Sequence, residues 1–168
     1  MTVKYIIGHW TGGQKYPNKY ELNCYQLLID CDGVIHKGLA QGCTSSTGGM
    51  NSITYNISCC GGLSSSRLTR PQIEKFFKTC AEKLKEYNLP VNAFFTHAEI
   101  GEMCRNYRSK MQGKPHGSKL ITDLLTYNQW LYQNIGKIDL TELPYIKGNA
   151  FETGDFIRQK IRWYYNQL

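Results

Sequence analysis

The chain opens on "TVKYIIGH" (2–9), an alternating stretch with β-branched residues that predicts a strand ending at His9. "TGGQKYPNKYELN" (11–23) carries paired glycines, a proline and many polar residues, and predicts a loop. "CYQLLIDCDGVIHKGL" (24–39) holds two apolar runs around Asp32-Gly33, the pattern of a β-hairpin. A glycine- and serine-rich loop, "GCTSSTGGMNS", leads into a further strand, "ITYNISCC" (53–60), stopped by Gly61-Gly62. The period then changes. "LTRPQIEKFFKTCAEKLKEYNLP" (68–90) places Ile73, Phe76, Phe77, Cys80, Ala81, Leu84 and Tyr87 on one helical face. Thr69 and Gln72 form a capping box, Pro71 suits the first turn, and Pro90 lies past the end.

"VNAFFTH" (91–97) predicts a short strand ending at His97. "GSKLITDLLTYNQWLYQN" (117–134) reads as a helix with Leu120, Leu124, Leu125 and Trp130 available for a core face. "GDFIRQKIRWYYNQ" (154–167) reads as a final amphipathic helix that buries Phe156, Ile157, Ile161 and Tyr164. Strand, hairpin, strand, helix, strand and further helices imply one α/β domain over residues 1–168, a mixed central sheet flanked by helices.

Composition narrows the partners. The net charge of +7 predicts an anionic partner. The basic stretches "RSKMQGKPHGSK" and "RQKIRW" lack the aromatic interleaving of a single-strand groove, so nucleic acid is not expected as the main partner. No apolar run approaches the ~18 residues of a membrane span. The start, "MTVKYIIGHW", does not have the form of a secretory signal, so synthesis in the cytoplasm is expected. The seven cysteines include no CxxC pair and are expected to be mostly reduced, small and buried.

Among the four histidines, His9 and His97 share one property: each ends a strand-like run and opens a polar or glycine-rich segment. Adjacent strands would bring two such imidazoles together, and paired imidazoles suit zinc. Residue types alone leave a packed, hydrogen-bonded histidine as the simpler alternative. His36, on the second strand of the hairpin, is expected to be exposed or partly packed.

"IIGHWTGG", "YQLLIDCDGVIHKGL", "NSITYNISCCGG", "LTRPQIEKFFKTC" and "FFTHAEIG" stand in the order found in zinc-dependent N-acetylmuramoyl-L-alanine amidases. The chain thus resembles the family of amidase-type phage lysozymes and peptidoglycan recognition proteins. The resemblance is clear over residues 3–100, and the tail "GKIDLTELPY…GDFIRQKIRWY" looks like phage-encoded members. It implies zinc as cofactor, with His9 ("HWT") and His97 ("THAEIG") as ligands. The family's third ligand follows a lysine by two positions. "KID" offers Lys137 and Asp139, and "KPH" offers Lys114 and His116; the context "GKIDLTELP" favours Asp139.

The same resemblance implies catalytic roles for Lys137, as a cation for the oxyanion, and Tyr25, seven positions before Asp32. The family's alternative, a glutamate on the strand after the glycine-rich loop, is replaced here by Asn56. Gln26 stands where relatives often carry histidine, and Glu99 is expected to have a supporting or structural role. The expected function is that of a monomeric endolysin of phage or prophage type that cleaves between N-acetylmuramic acid and L-alanine in bacterial peptidoglycan. It would reach the cell wall after release from the cytoplasm. The alternatives are a recognition module of the same fold that binds peptidoglycan without cutting it, and a regulator that binds a partner polymerase.

Overall fold

Strand β1 (Tyr5–Trp10) is buried at all six positions. A strand buried on both faces needs parallel neighbours and covering helices, and this one has both. In the computed structural model, which describes residues 2–64, 66–108 and 128–168, β1 lies between β4 (Thr54–Cys59) and β5 (Phe94–Thr96), parallel to each. Beyond β4 come β2 (Leu27–Ile29), also parallel, and the antiparallel edge strand β3 (Ile35–Lys37). The order is β3-β2-β4-β1-β5. This is the expected α/β class with a mixed sheet.

The hairpin turns where Asp-Gly predicts it. Gly33 adopts φ +81°, and Asp30 Oδ1 accepts the backbone N–H groups of Asp32 and Val34. His36 donates back to Asp30 Oδ2 at 2.7 Å and is half-buried.

Helix α2 (Arg70–Glu86) has the predicted capping box from Thr69 and Gln72. Its face of Ile73, Phe76, Phe77, Cys80, Ala81 and Leu84 is fully buried. The buried Gln72 amide also donates to the carbonyls of Ile29 and Cys60, which ties the helix start to the ends of β2 and β4. At Gly8, in β1, an added Cβ would lie 2.8 Å from the rings of both Phe76 and Phe94. The glycine therefore lets α2 and β5 close on the central strand.

Several expectations need correction. The segment read as loop before β2 contains a one-turn helix, α1 (Lys19–Leu22), started by an Asn18–Glu21 capping box. The strand predicted over 91–97 is a 3-10 turn (Val91–Ala93) followed by β5. His97 does not end that strand; it is the first residue of helix α3 (His97–Arg108). Thr96 and Glu99 explain the switch. Thr96 Oγ1 accepts the Glu99 N–H while Glu99 Oε2 accepts the Thr96 N–H, a capping box three residues long.

Most of the helix predicted over 117–134 lies outside the described residues, as do Leu120, Leu124 and Leu125. Its end is a 3-10 helix, Gln129–Asn134, in which Leu131 is buried but Trp130 is 60% exposed. The last helix, α4 (Ala150–Tyr165), starts four residues earlier than predicted because Asn149 and Glu152 cap it. Ile157 and Ile161 are fully buried, whereas Phe156 and Tyr164 are half-buried.

Glu99 is fully buried and forms a two-armed ion pair with Arg158 of α4, at 2.6 and 2.9 Å. Its role is structural: it caps α3 and locks α3 to α4. Four of the seven cysteines are buried, and all are free thiols. None of the described helices is long and apolar enough to cross a membrane.

Candidate metal centre

The pairing of β1 with β5 runs to Gly8↔Thr96. One residue further along each chain come His9 and His97. Their ring centroids stand 4.7 Å apart, and both rings are buried. This is the carboxyl end of the parallel strands, where open α/β sheets collect ligand-binding groups.

Each imidazole is aimed by an asparagine. His9 Nε2 donates to Asn56 Oδ1 at 3.0 Å, and His97 Nε2 donates to Asn134 Oδ1 at 2.7 Å. The amide orientations are fixed by what the NH2 groups do. Asn56 Nδ2 donates to the hydroxyls of Thr44 and Thr54. Asn134 Nδ2 donates to the carbonyls of Gly48 and Leu131. Each Oδ1 is therefore left to accept, each Nε2 carries the proton, and each Nδ1 presents a lone pair.

Both Nδ1 atoms face Asp139. His9 Nδ1 lies 3.6 Å from Oδ2 and His97 Nδ1 lies 3.7 Å from Oδ1. The three side chains can offer ligand atoms all within 4.8 Å of one another. The Trp10 N–H reaches Asp139 Oδ2 at 3.4 Å. After Asp139 the chain turns through Leu140, a non-glycine residue at φ +63° whose side chain is fully buried. Such a conformation costs ~1–3 kcal/mol and persists where packing over-determines it.

Electrostatics follow from burial. Loss of water pushes the His9 imidazole below its ordinary value, against the opposing pull of Asp139. Burial alone would raise the Asp139 carboxyl, but the two imidazoles beside it hold it well below the usual carboxylate range. The set thus pairs a neutral His9 imidazole with the Asp139 carboxylate, and His97 Nδ1 faces the same carboxylate. His9 Nδ1 is buried with no hydrogen-bond partner among the described residues. A buried nitrogen lone pair, a second one beside it and a carboxylate between them fit a divalent cation such as zinc.

Around this set lies a cleft of about 310 Å³. Its walls include Trp10, Tyr25, Ser46, His97, Lys137 and Asp139. The Tyr25 ring centroid is 5.1 Å from that of His9. Burial first, and then the Asp139 charge, raise the Tyr25 phenol far above its ordinary value, so it stays protonated at neutral pH. The structure thus brings together His9, His97, Asp139, Tyr25 and Lys137. His36 stands apart on the edge strand, and His116 and Lys114 lie outside the described residues.

Sequence reasoning overlooked Asn134 entirely. A polar residue at the end of an apolar segment gives no signal until the fold brings it to His97. It treated Asn56 only as a missing glutamate. Gln26 is buried and accepts the Asn56 backbone N–H at 2.7 Å. It braces the strand that holds His9's partner.

The sequence profile of the N-acetylmuramoyl-L-alanine amidases matches residues 1–113. The chain belongs to that family. Among solved structures the fold is similar to that of PlyL, at 17% identity, over 74% of this chain and 84% of that one, with a TM-score of 0.52. The amidase LysC of Clostridium intestinale matches at 16% identity, over 74% and 86%, with a TM-score of 0.49. The Drosophila peptidoglycan recognition protein SA matches at 14%, over 58% and 68%, with a TM-score of 0.47. No curated protein matches by sequence.

Proposed function

We propose that this amidase-family chain is a zinc-dependent peptidoglycan hydrolase. It cleaves the amide between the lactyl carbonyl of N-acetylmuramic acid and L-alanine, as an endolysin of phage or prophage type, with residues 1–168 as one catalytic domain. The observation that carries this reading is the meeting of His9, His97 and Asp139, with both imidazoles aimed by asparagine and one Nδ1 buried without a hydrogen-bond partner among the described residues.

His9 Nδ1, His97 Nδ1 and an Asp139 oxygen would hold the zinc. Bound zinc supplies Lewis acidity and a water of lowered pKa. The chain's own groups do the rest. Lys137 lines the cleft beside Asp139, and its ammonium meets the negative charge that develops on the carbonyl oxygen. The protonated Tyr25 phenol orients the attacking water or passes a proton to the leaving amine. Asn56 and Asn134 keep the imidazoles in the tautomer and orientation that present Nδ1. The net charge of +7 favours approach to an anionic cell envelope.

Zinc analysis of the purified chain and mass spectrometry of digested muropeptides test this reading. The wild type should carry zinc and release free stem peptides, and Asp139→Ala should do neither. A chain that holds zinc yet leaves muropeptides intact is a binding module, and the hydrolase reading fails.

A further inference from the structure

A second cavity lies away from the metal centre, where α4 crosses α2. It measures about 480 Å³ and is lined by Glu74, Phe156, Gln159, Lys160, Trp163 and Tyr164. That is within the ~300–1,000 Å³ range of small-molecule sites. Trp163 is 60% exposed, and its ring stands at 88° to that of Tyr164 with centroids 4.8 Å apart. The two rings make a corner open to solvent.

The wall behind this corner is fixed by hydrogen bonds. The Glu74 carboxylate accepts the phenolic hydroxyls of Tyr145 and Tyr164, both at 2.7 Å. One carboxylate thereby ties α2, α4 and the segment between Asp139 and α4. Lys160 Nζ sits 5.4 Å from the Phe156 ring centre and 5.7 Å from that of Tyr145. The Tyr145 and Tyr164 rings are thus held in place, while the Trp163 indole is exposed.

We propose that this corner binds the saccharide backbone of the cell-wall polymer, as a site separate from the cleft that cuts it. Saccharides fit its chemistry better than an apolar protein segment does. Aromatic faces carry negative charge density and attract the positive C–H faces of a pyranose ring. The Tyr164 phenolic oxygen, having donated to Glu74, remains an acceptor for a sugar hydroxyl. Gln159 and Lys160 add donors at the rim. A purely apolar partner would leave these polar groups unpaired. The site takes saccharide rings of that polymer. This extends the peptidoglycan reading: a second contact on the same polymer raises the local concentration of scissile bonds at the cleft.

Chitotetraose is a suitable probe, because it carries the sugar but no stem peptide. The full 15N-labelled chain is titrated while the three indole N–H resonances are followed, with Trp130→Phe and Trp163→Ala variants to assign them. The Trp163 signal should shift with sugar. Trp163→Ala should weaken binding roughly tenfold, as loss of an aromatic anchor does. Gln159→Ala should weaken it less, and Trp130→Phe not at all. Asp139→Ala should bind the sugar as the wild type does, so this result stands apart from any failure of hydrolysis. Trp163→Ala should also keep its zinc and its activity on a soluble muropeptide. An unmoved Trp163 signal, or undiminished binding in Trp163→Ala with a shift at Trp10, would overturn the proposal. So would a Trp163 shift that depends on protein concentration and not on sugar, because the corner would then be a contact between copies.

Discussion

His9 and His97 meet at one site but are held by different parts of the molecule. His9 belongs to the centre of the sheet. Its partner Asn56 lies on β4, opposite Ile7 in the register and so one diagonal step from His9 on the same face. Thr47, Thr44 and Thr54 surround that amide with hydrogen bonds, and Gln26 accepts the Asn56 backbone N–H. His97 stands where β5 turns into α3, and its partner Asn134 is 37 residues further along the chain. Asn134 in turn rests on Gly48 and Leu131. The same atom-level device, an amide oxygen on Nε2, is thus built once from sheet register and once from a long-range contact. Asp139 faces both histidines and joins the two frames in the proposed ligand set.

The comparison breaks completely if that shared residue is lost. Asp139→Ala should abolish both zinc binding and hydrolysis, seen by metal analysis and muropeptide digestion. Lys137→Ala should lower kcat by ~10²–10³-fold, the usual cost of one oxyanion partner, while zinc content stays at the wild-type level. A loss of zinc in that variant would instead make Lys137 part of the metal frame.

The two asparagines sharpen the contrast. Asn56→Ala and Asn134→Ala should each weaken zinc affinity by ~10–100-fold in chelator competition. They should differ in the metal-free chain. Asn56→Ala strands hydroxyls and a histidine N–H inside the sheet core, at ~1–3 kcal/mol for each unpaired group, and should lower the Tm more than Asn134→Ala does. Equal melting shifts would mean that the two frames are equally embedded. The smallest effect is expected from His116→Ala, which should keep both zinc and activity. Loss of both, with Asp139→Ala intact, would move the third ligand to His116.

The sequence by itself determined most of the scaffold. The hairpin at Asp32-Gly33 and the helix after Thr69 were legible because a turn residue and an apolar period act over a few neighbours. The same locality explains the errors. At 96–99 the capping box outweighed the apolar run, so His97 opens a helix. At Asn18 a cap started a helix inside a segment read as loop, and at Asn149 a cap started the last helix ahead of the segment read as helical. The family resemblance of the ordered motifs pointed to His9 and His97, each at the end of a strand-like run. Only tertiary structure decided what surrounds them. The register Gly8↔Thr96 sets the two rings side by side, the turn at Leu140 brings in Asp139, and Asn134 closes on His97. Those contacts join residues far apart in the chain, and spacing along a sequence carries no record of which distant amide will meet which imidazole.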